Sequence, residues 1–275
     1  MLEIPEAIVI SGQLAQTVKG KRVKEVVAAA SPHKFAWYYE EPSEYDALLR
    51  GRTIESAISY GGRIEMSMEG AVLHFGDGVN LRYYEADEKH PTKHQLLVVF
   101  DDDSALTATV AMYGMLFAHP THAMDDDFYV KAAKEAVSPL SEEFDFPHFQ
   151  KLFDEKGLKM SAKAFLATEQ RIPGLGNGAL QDILLNAKIH PKKKMNALSE
   201  EQHQQMFDSL KSTLAEMTDN GGRDTERDLF GNPGGYKTKL GKNNKLLICP
   251  NCGGSAKKGS YMGGSIYYCE QCQEL

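Results

Sequence analysis

The sequence contains few cysteines and has no long hydrophobic run. Its 275 residues include four cysteines, all after position 248, so a disulfide framework that staples the whole chain is excluded. No apolar stretch approaches the roughly 18 residues that a membrane-spanning helix requires. The first residues, Met-Leu-Glu-Ile-Pro-Glu, carry acids where a secretory signal carries bases. These absences predict a cytoplasmic protein that makes no membrane contact.

Acidic and basic residues are unevenly distributed along the chain. Residues 1–145 carry 13 Lys and Arg against 24 Asp and Glu, whereas residues 146–275 carry 18 against 14. The basic residues of the second half concentrate in residues 188–194 and in Lys237, Lys239, Lys242, Lys245, Lys257 and Lys258. Because salt screens distant acids beyond about 10 Å, a local basic surface is able to bind phosphate. A solvated lysine face is the alternative interpretation.

Short alternating segments separated by turn residues indicate β-structure in the first half. A helix over Ala7–Val18 precedes them. Glycine and aspartate, as in Gly76-Asp77-Gly78, are interpreted as turns between the strands. This pattern predicts a β-sandwich or barrel with strands at Thr53–Tyr60, Arg63–Met68, Val72–His74, Leu81–Tyr84, Leu96–Phe100 and Ala105–Ala111.

In the second half of the chain, apolar residues recur at the three- to four-residue spacing of an α-helix. Its last helix opens with Ser199-Glu-Glu-Gln202, a capping-box pattern, and stops at Gly221-Gly222. The predicted helices are Phe146–Lys156, Ser161–Thr168, Gly178–Lys188 and Ser199–Asn220.

The four cysteines have the spacing of a metal site. Two C-x2-C pairs, Cys249/Cys252 and Cys269/Cys272, are separated by 16 residues. This spacing predicts one zinc ion held by four thiolates, with Tyr261–Tyr268 as a β-hairpin between the pairs. Because four protein ligands leave no position for water, the zinc is expected to be structural rather than catalytic.

A glycine-rich turn joins two of the predicted helices. In Gln170-Arg-Ile-Pro-Gly-Leu-Gly-Asn-Gly178, Gly174 and Gly176 allow a tight turn and Asn177 is placed to cap the next helix. Exposed amides at such a helix start form an anion site suited to a DNA phosphate. An ordinary helix–glycine–helix corner is the alternative.

Three features in this order resemble the formamidopyrimidine-DNA glycosylase/endonuclease VIII family. They are Glu3-Ile-Pro-Glu6, the Gly-Leu-Gly-Asn turn followed by Ile189-His190-Pro191, and the four-cysteine finger. The resemblance implies an α+β, multidomain chain. We expect an N-terminal β-sandwich lobe with a leading helix (1–130), a helix–two-turn–helix domain (131–240) and a zinc-ribbon-like finger (241–275). It also implies a monomer that binds damaged double-stranded DNA between its lobes and associates with the nucleoid when bound.

The family's chemistry depends on the first residues. Its members flip out a damaged base and attack the sugar carbon with an N-terminal proline amine, while a nearby glutamate moves protons. Glu3 and Glu6 match the family's two acids, although both could be helix-start charges. Leu2 stands where the family has proline, which leaves the α-amine of Met1 as the available nucleophile.

Other family positions carry over unevenly to this sequence. Arg63 matches the phosphate-holding lysine and Asn177, a phosphate-contacting residue of the family, is retained, whereas Asp77 stands where the family has a duplex-filling methionine. Met112 and Tyr113 match the remaining wedge pair, with core packing as the alternative. The finger's phosphate-binding arginine falls near Gly264, which leaves Lys257 and Lys258 as substitutes.

The segment Gly221–Tyr236 corresponds to the family's mobile loop over the extruded base. It carries four side chains that are able to stack on or hydrogen-bond a base: Arg223, Arg227, Phe230 and Tyr236. A solvated linker is the alternative.

Two functional hypotheses remain open at this point. The first is a DNA glycosylase that acts through Glu3-assisted hydrolysis or through the Met1 amine, with lyase activity weakened by Leu2. The second is a catalytically impaired protein that recognises damaged DNA. Retention of Glu3 and Glu6 favours the first hypothesis, and Leu2 favours the second.

Overall fold

A computed structural model describes residues 1–244 and 246–275, and Lys245 of the basic cluster lies outside the described residues. The N-terminal lobe contains three helices and seven strands. The helices are α1 (Ile4–Thr17), α2 (Tyr45–Leu49) and α3 (Phe128–Glu135). The strands are β1 (Val23–Ala28), β2 (Ala36–Trp37), β3 (Ile54–Tyr60), β4 (Arg63–Met68), β5 (Ala71–Tyr84), β6 (Leu96–Phe100) and β7 (Ala105–Pro120).

The seven strands form one sheet in the order β1-β6-β7-β5-β4-β3, and β2 pairs in parallel with β7. The two longest strands, β5 and β7, run through both halves of this sheet. One half of β5 pairs with β4, and the other lies beside the part of β7 that pairs with β6. The halves meet at a β-bulge between Asp77 and Val79, so the predicted turn at Gly76-Asp77-Gly78 is wrong. Asp77 has a positive φ of 60°. Residues in turns and residues in β-bulges both adopt positive φ, so the same sequence signal fits either.

Helix α1 connects the two lobes. Leu2 belongs to the hydrophobic core of the sheet, whereas Ile4 belongs to the core of the helical region. Glu3, between them, is the N-cap residue of α1, and Pro5 lies in its first turn. The helix therefore starts three residues earlier than predicted, because proline is favoured in the first turn of a helix.

The helical region contains α4 (Phe146–Gln150), α5 (Glu155–Lys159), α6 (Ala162–Ala167), α7 (Asn177–Asn186) and α8 (Glu200–Asp219). The predicted helix over 146–156 is two short helices. The Asp154 side chain accepts a hydrogen bond from the Gly157 amide at 2.5 Å and so starts α5. The capping box at Ser199 and Gln202 is confirmed, with both reciprocal hydrogen bonds present.

The C-terminal segment forms a hairpin of β8 (Lys257–Tyr261) and β9 (Gly264–Tyr268), longer than the predicted 261–268. A third hydrophobic cluster, which includes Cys249, Cys269 and Tyr267, joins this hairpin to Leu185 and Leu240. The α+β class expected from the sequence is confirmed. Among the described residues, no helix combines the length and apolarity needed to cross a membrane.

Candidate functional site

Glu3 and Glu6 meet a buried arginine between the lobes. The Nε and Nη2 atoms of Arg223 donate to Glu6 at 2.9 and 2.7 Å, and Nη1 lies 3.1 Å from Oε1 of Glu3. All three residues are at most 4% exposed. We call this group the Glu3–Arg223–Glu6 triad. Burial opposes the charge of Arg223, but the fields of Glu3 and Glu6 outweigh it and raise the pKa of the guanidinium.

Glu3 also caps the start of α7. Its two carboxylate oxygens accept hydrogen bonds from the amides of Gly178 at 2.9 Å and Ala179 at 2.8 Å. These amides were expected to hold a DNA phosphate, but this carboxylate of the same chain occupies them. Asn177 is likewise not the cap, because Gly176 is the N-cap residue and Asn177 is the first residue of the helix.

The two glycines of the turn are required by close packing. Gly174 has a φ of 80°. It packs against Gly62, where an added β-carbon would lie 3.0 Å from the Cα atom of Gly174. A β-carbon on Gly176 would lie 2.5 Å from the carboxyl carbon of Glu3. The turn therefore brings the helical region against the N-terminus without side chains in the way.

A cavity of about 600 Å³ lies beside the triad, between the sheet and the segment Gly221–Tyr236. Met1 and Glu226 both line it, and the α-amine of Met1 forms an ion pair with Oε2 of Glu226 at 2.5 Å. The Leu2 amide donates to the carbonyl oxygen of Asp77 at 2.7 Å, which fixes the position of Met1. Neither Glu3 nor Glu6 is among the described residues that line this cavity. Glu226 has no signal in the sequence, because a single acid in a polar loop forms no pattern.

The loop expected to cover an extruded base divides into two groups. Arg223 and Tyr236 are buried, so the prediction that they contact a base is wrong. Arg223 is bound by Glu3 and Glu6 in the triad, and Tyr236 packs in the helical core. Arg227 lines the cavity, where its Nη1 donates to the Gly231 carbonyl oxygen at 2.7 Å. Phe230 is 42% exposed and lies edge-on to Tyr83.

Met112 and Tyr113 lie within the long strand β7 and are 64% and 36% exposed. Core packing, the alternative considered for this pair, is therefore wrong. Asp77 lies opposite Gly114 on the neighbouring strand, and burial raises its pKa although Arg63 opposes this. The guanidinium of Arg63 contacts the Met115 sulfur at 2.8 Å.

The finger hairpin is fastened to the helical region by side chains of α6 and α7. The Asn177 amide donates to the Ser265 carbonyl oxygen at 2.9 Å, and Lys163 donates to that of Tyr261 at 2.7 Å. Burial lowers the pKa of Lys163, a residue that no motif in the sequence marks. Lys257 forms an ion pair with Glu270 at 2.6 Å, and Lys258 lies over the Tyr267 ring.

The four cysteine sulfurs converge on one point. All lie within 4.8 Å of one another, and the Cys249–Cys272 and Cys252–Cys269 pairs are 3.8 and 3.6 Å apart. A tetrahedral ion with bonds of about 2.3 Å separates its sulfur ligands by about 3.8 Å. The arrangement therefore fits one tetrahedral metal ion.

Two family models match the chain. The formamidopyrimidine-DNA glycosylase N-terminal domain matches residues 1–127, and the formamidopyrimidine-DNA glycosylase H2TH domain matches residues 136–227. Among curated proteins, the formamidopyrimidine-DNA glycosylase of Cytobacillus firmus is 26% identical over 99% of this chain and 100% of its own. That of Thermus thermophilus is 27% identical over 99% and 98%.

Solved structures show the same fold. The Lactococcus lactis Fpg, in complex with DNA that contains an abasic site, aligns with a TM-score of 0.82 at 22% identity over 99% of this chain and 100% of its own. The MutM (Fpg) protein of Thermus thermophilus aligns with a TM-score of 0.80 at 24% identity, over 98% of each chain. With both domain models matched in order, the chain belongs to the formamidopyrimidine-DNA glycosylase family.

Proposed function

We propose that this protein is a DNA glycosylase that binds damaged duplex DNA between its lobes and acts on an extruded nucleotide through the amine of Met1. Family membership supports DNA as the partner, as does the abasic-site DNA bound by the Lactococcus lactis relative. The cavity of about 600 Å³ has room for one nucleotide. Both the sheet and the Gly221–Tyr236 segment contribute to its walls.

The ion pair between the Met1 amine and Glu226 at this cavity is the observation that carries the proposal. An amine attacks carbon only after it has lost a proton, and a carboxylate in contact with it is placed to accept one. On an abasic sugar, the amine nitrogen bonds to the aldehyde carbon C1′. The aldehyde oxygen then leaves as water, and an imine remains.

The contacts of Glu3 and Glu6 favour a positioning role over acid–base chemistry. Each Glu3 oxygen accepts a backbone hydrogen bond, and Glu6 is occupied by Arg223. These contacts hold the start of α1 and the Gly221–Tyr236 segment together at the cavity. Glu3-assisted hydrolysis therefore has less support than attack by the Met1 amine.

The four-cysteine cluster is proposed to hold one structural zinc ion, since thiolates in tetrahedral arrangement suit zinc and leave no open position. The ion fixes the hairpin that Asn177 and Lys163 contact. The exposed side chains of Lys257 and Lys258 then present cations beside the helical region, where we propose that they bind the phosphate backbone.

Borohydride trapping on an abasic-site duplex tests the proposal, together with base release from a panel of damaged bases. Intact mass first establishes that Met1 is present. Wild-type protein should give a reduced covalent adduct at the α-amine. The Glu226→Gln variant should trap about 100-fold more slowly, because the amine loses its proton acceptor. Glu200→Gln, on the exposed first turn of α8, is the matched control and should behave as wild type.

An adduct on any lysine instead of Met1, or unchanged trapping by Glu226→Gln, would contradict the Met1 mechanism. The second candidate function is recognition of damaged DNA without excision, and the burial of both Glu3 and Glu6 against Arg223 favours it. Retained, salt-sensitive binding to damaged duplexes with neither base release nor adduct would establish that second function.

A further inference from the structure

The cavity beside Met1 carries an excess of positive charge. Four cationic groups and two carboxylates are among the described residues that line it, which gives a net charge of +2. They are the α-amine of Met1, Arg82, Arg227 and Lys242, and the acids Glu226 and Asp228. Residues 1–145, which include the whole sheet, carry 13 Lys and Arg against 24 Asp and Glu. A cationic cavity on an acidic lobe favours an anionic ligand.

Both carboxylates of the cavity already have partners of their own. Glu226 forms the ion pair with the Met1 amine at 2.5 Å. Asp228 accepts hydrogen bonds from the Gln13 side chain at 3.1 Å and from the Asn232 amide at 2.7 Å. The cavity arginines therefore lack a carboxylate partner, because the arginines that form ion pairs in the described part of the chain are Arg50, Arg171 and Arg223.

The guanidinium groups of Arg82 and Arg227 meet at Gly231. Nη1 of Arg227 donates to the Gly231 carbonyl oxygen at 2.7 Å. Gly231 has a φ of 81°, and a β-carbon on it would overlap the guanidinium of Arg82. Two cations gathered at one residue repel each other, and an anion bound to both would remove that repulsion. We call these two side chains the Arg82–Arg227 pair.

The sheet contributes neutral hydrogen-bonding groups to the same cavity. Arg82 lies opposite Thr107 in the register of β5 and β7, and Asn80 lies opposite Thr109. All four residues line the cavity, because alternate residues of two paired strands share one face of the sheet. Hydroxyl and amide groups beside guanidinium groups suit an oxygen acceptor such as a carboxylate or a phosphate.

The chemistry of a nucleotide indicates which of its groups reaches the Arg82–Arg227 pair. In the proposed function the Met1 amine attacks C1′, so the sugar lies at Met1. The base is attached to C1′, whereas the phosphates are attached through O3′ and O5′ and remain in the strand. Glu226, the partner of the Met1 amine, directly precedes Arg227. The base is therefore the part of the nucleotide best placed to bring an anionic oxygen to the pair.

We propose that the Arg82–Arg227 pair forms a subsite for an anionic oxygen of the extruded nucleotide, so that the cavity favours bases that carry a carboxylate. The proposal rests on the proposed function and narrows its substrate to a chemical class. A neutral base gives the pair no anionic acceptor and gains nothing from the subsite. A flanking phosphate offers the same oxygen chemistry, so the test includes both sources.

Duplex binding measured by fluorescence anisotropy tests the proposal with two matched pairs of duplexes. One pair carries 5-carboxyuracil or its neutral amide, 5-carbamoyluracil, at the same position. The other pair carries a tetrahydrofuran abasic analogue flanked by ordinary phosphates or by neutral methylphosphonates. Arg82→Gln should weaken binding of the carboxyuracil duplex about tenfold and leave that of the carbamoyluracil duplex unchanged, and Arg82→Lys should restore part of the loss.

Two further variants complete the comparison. Arg227→Gln leaves the packing of Arg82 on Gly231 in place and should give the same selective loss. Arg50→Gln removes an exposed arginine outside the cavity and should leave all four affinities unchanged.

Equal affinities, or equal losses, of the Arg82→Gln and Arg227→Gln variants on the carboxylated and neutral bases would overturn the subsite. A loss that depends on the flanking phosphates instead of the base would overturn the preference for carboxylated bases. In both cases binding of wild-type protein to the abasic-analogue duplex leaves the DNA-binding function intact. Absence of binding to every duplex would overturn the proposed function as well.

Discussion

Arg223 sits between two carboxylates in a site that is closed to solvent. One guanidinium cannot neutralise two carboxylates, so the Glu3–Arg223–Glu6 triad carries a net negative charge that the α7 amides partly offset. Such a group is costly to disrupt, because removing the cation leaves two buried anions facing each other. We infer that Arg223 fixes the register between α1 and the Gly221–Tyr236 segment.

We expect Arg223→Met to lower the free energy of unfolding by about 3–5 kcal/mol, because the variant leaves Glu3 and Glu6 unpaired. Urea denaturation followed by circular dichroism measures the change. Arg227→Met, at the cavity wall, removes a less buried cation and should change stability by less than about 1 kcal/mol. Equal stability of the Arg223 variant and wild type would show that the triad is dispensable for folding.

At the residue scale, the sequence singles out Glu3 and Glu6 but neither their contacts nor the third acid, Glu226. Glu3 and Glu6 are identified by position, whereas the sequence assigns their partner Arg223 to base contact. Separations of 217 and 220 residues give no local pattern that could pair them. The exposure of Met112 and Tyr113 is equally unpredictable from the sequence, because alternation along a strand does not show which face of the sheet other elements cover.

A second polar cluster joins β4, β5 and β7 to helix α3. Glu65 contacts His74 at 2.7 Å and Lys134 of α3 at 2.8 Å, and His74 contacts His119 at 3.1 Å. The Nδ1 atom of His119 donates to the Pro120 carbonyl oxygen at 2.8 Å, so its Nε2 atom accepts from His74 when the ring is neutral. Burial lowers the pKa of both histidines.

This cluster should make stability depend on pH. A histidine whose folded pKa is depressed binds fewer protons when folded than when unfolded, so its contribution is present above about pH 6.5 and is lost as the pH falls. We expect the urea midpoint to decrease between pH 7.5 and pH 5.5. His119→Gln should reduce that decrease, whereas His122→Gln, which removes an exposed ring, should not. An identical pH dependence in both variants would argue against the cluster as its source.

Elements are predicted best where a local rule decides them. The start of α8 follows from the Ser199–Gln202 capping box, and the finger hairpin follows from the cysteine spacing. The sequence predicts two separate strands where the structure has the single strand β5, because glycine and aspartate are typical of turns and of β-bulges. It misses the two-residue strand β2, since the only support for that strand is pairing with β7.

On the scale of the whole molecule, three hydrophobic clusters among the described residues stabilise the sheet lobe, the helical region and the finger. The finger's cluster is small, so a metal ion held by the four cysteines would contribute most of its stability. Its hairpin nevertheless contacts α6 and α7 through Lys163, Asn177 and Gln181. Metal loss should therefore affect the DNA-binding face more than the rest of the chain.

We expect Cys252→Ser to abolish the proposed binding of one zinc ion, to expose residues 241–275 to limited proteolysis and to weaken duplex binding about tenfold or more. Zinc analysis, protease mapping and fluorescence anisotropy measure these effects. Ser212→Ala, on an exposed face of α8, should retain zinc and affinity. Full duplex affinity in zinc-free protein would exclude the finger from the binding surface.

Because Ile4 of α1 packs in the helical core whereas Ile10 and Leu14 pack in the sheet core, the first helix belongs to both halves of the protein. A chimera that exchanged halves with a relative at the connection between α3 and α4 (residues 136–145) would therefore inherit a mismatched helix. A functional chimera would have to take α1 and the residues that contact it in both cores from the same parent. This short helix therefore cannot be exchanged independently of either half.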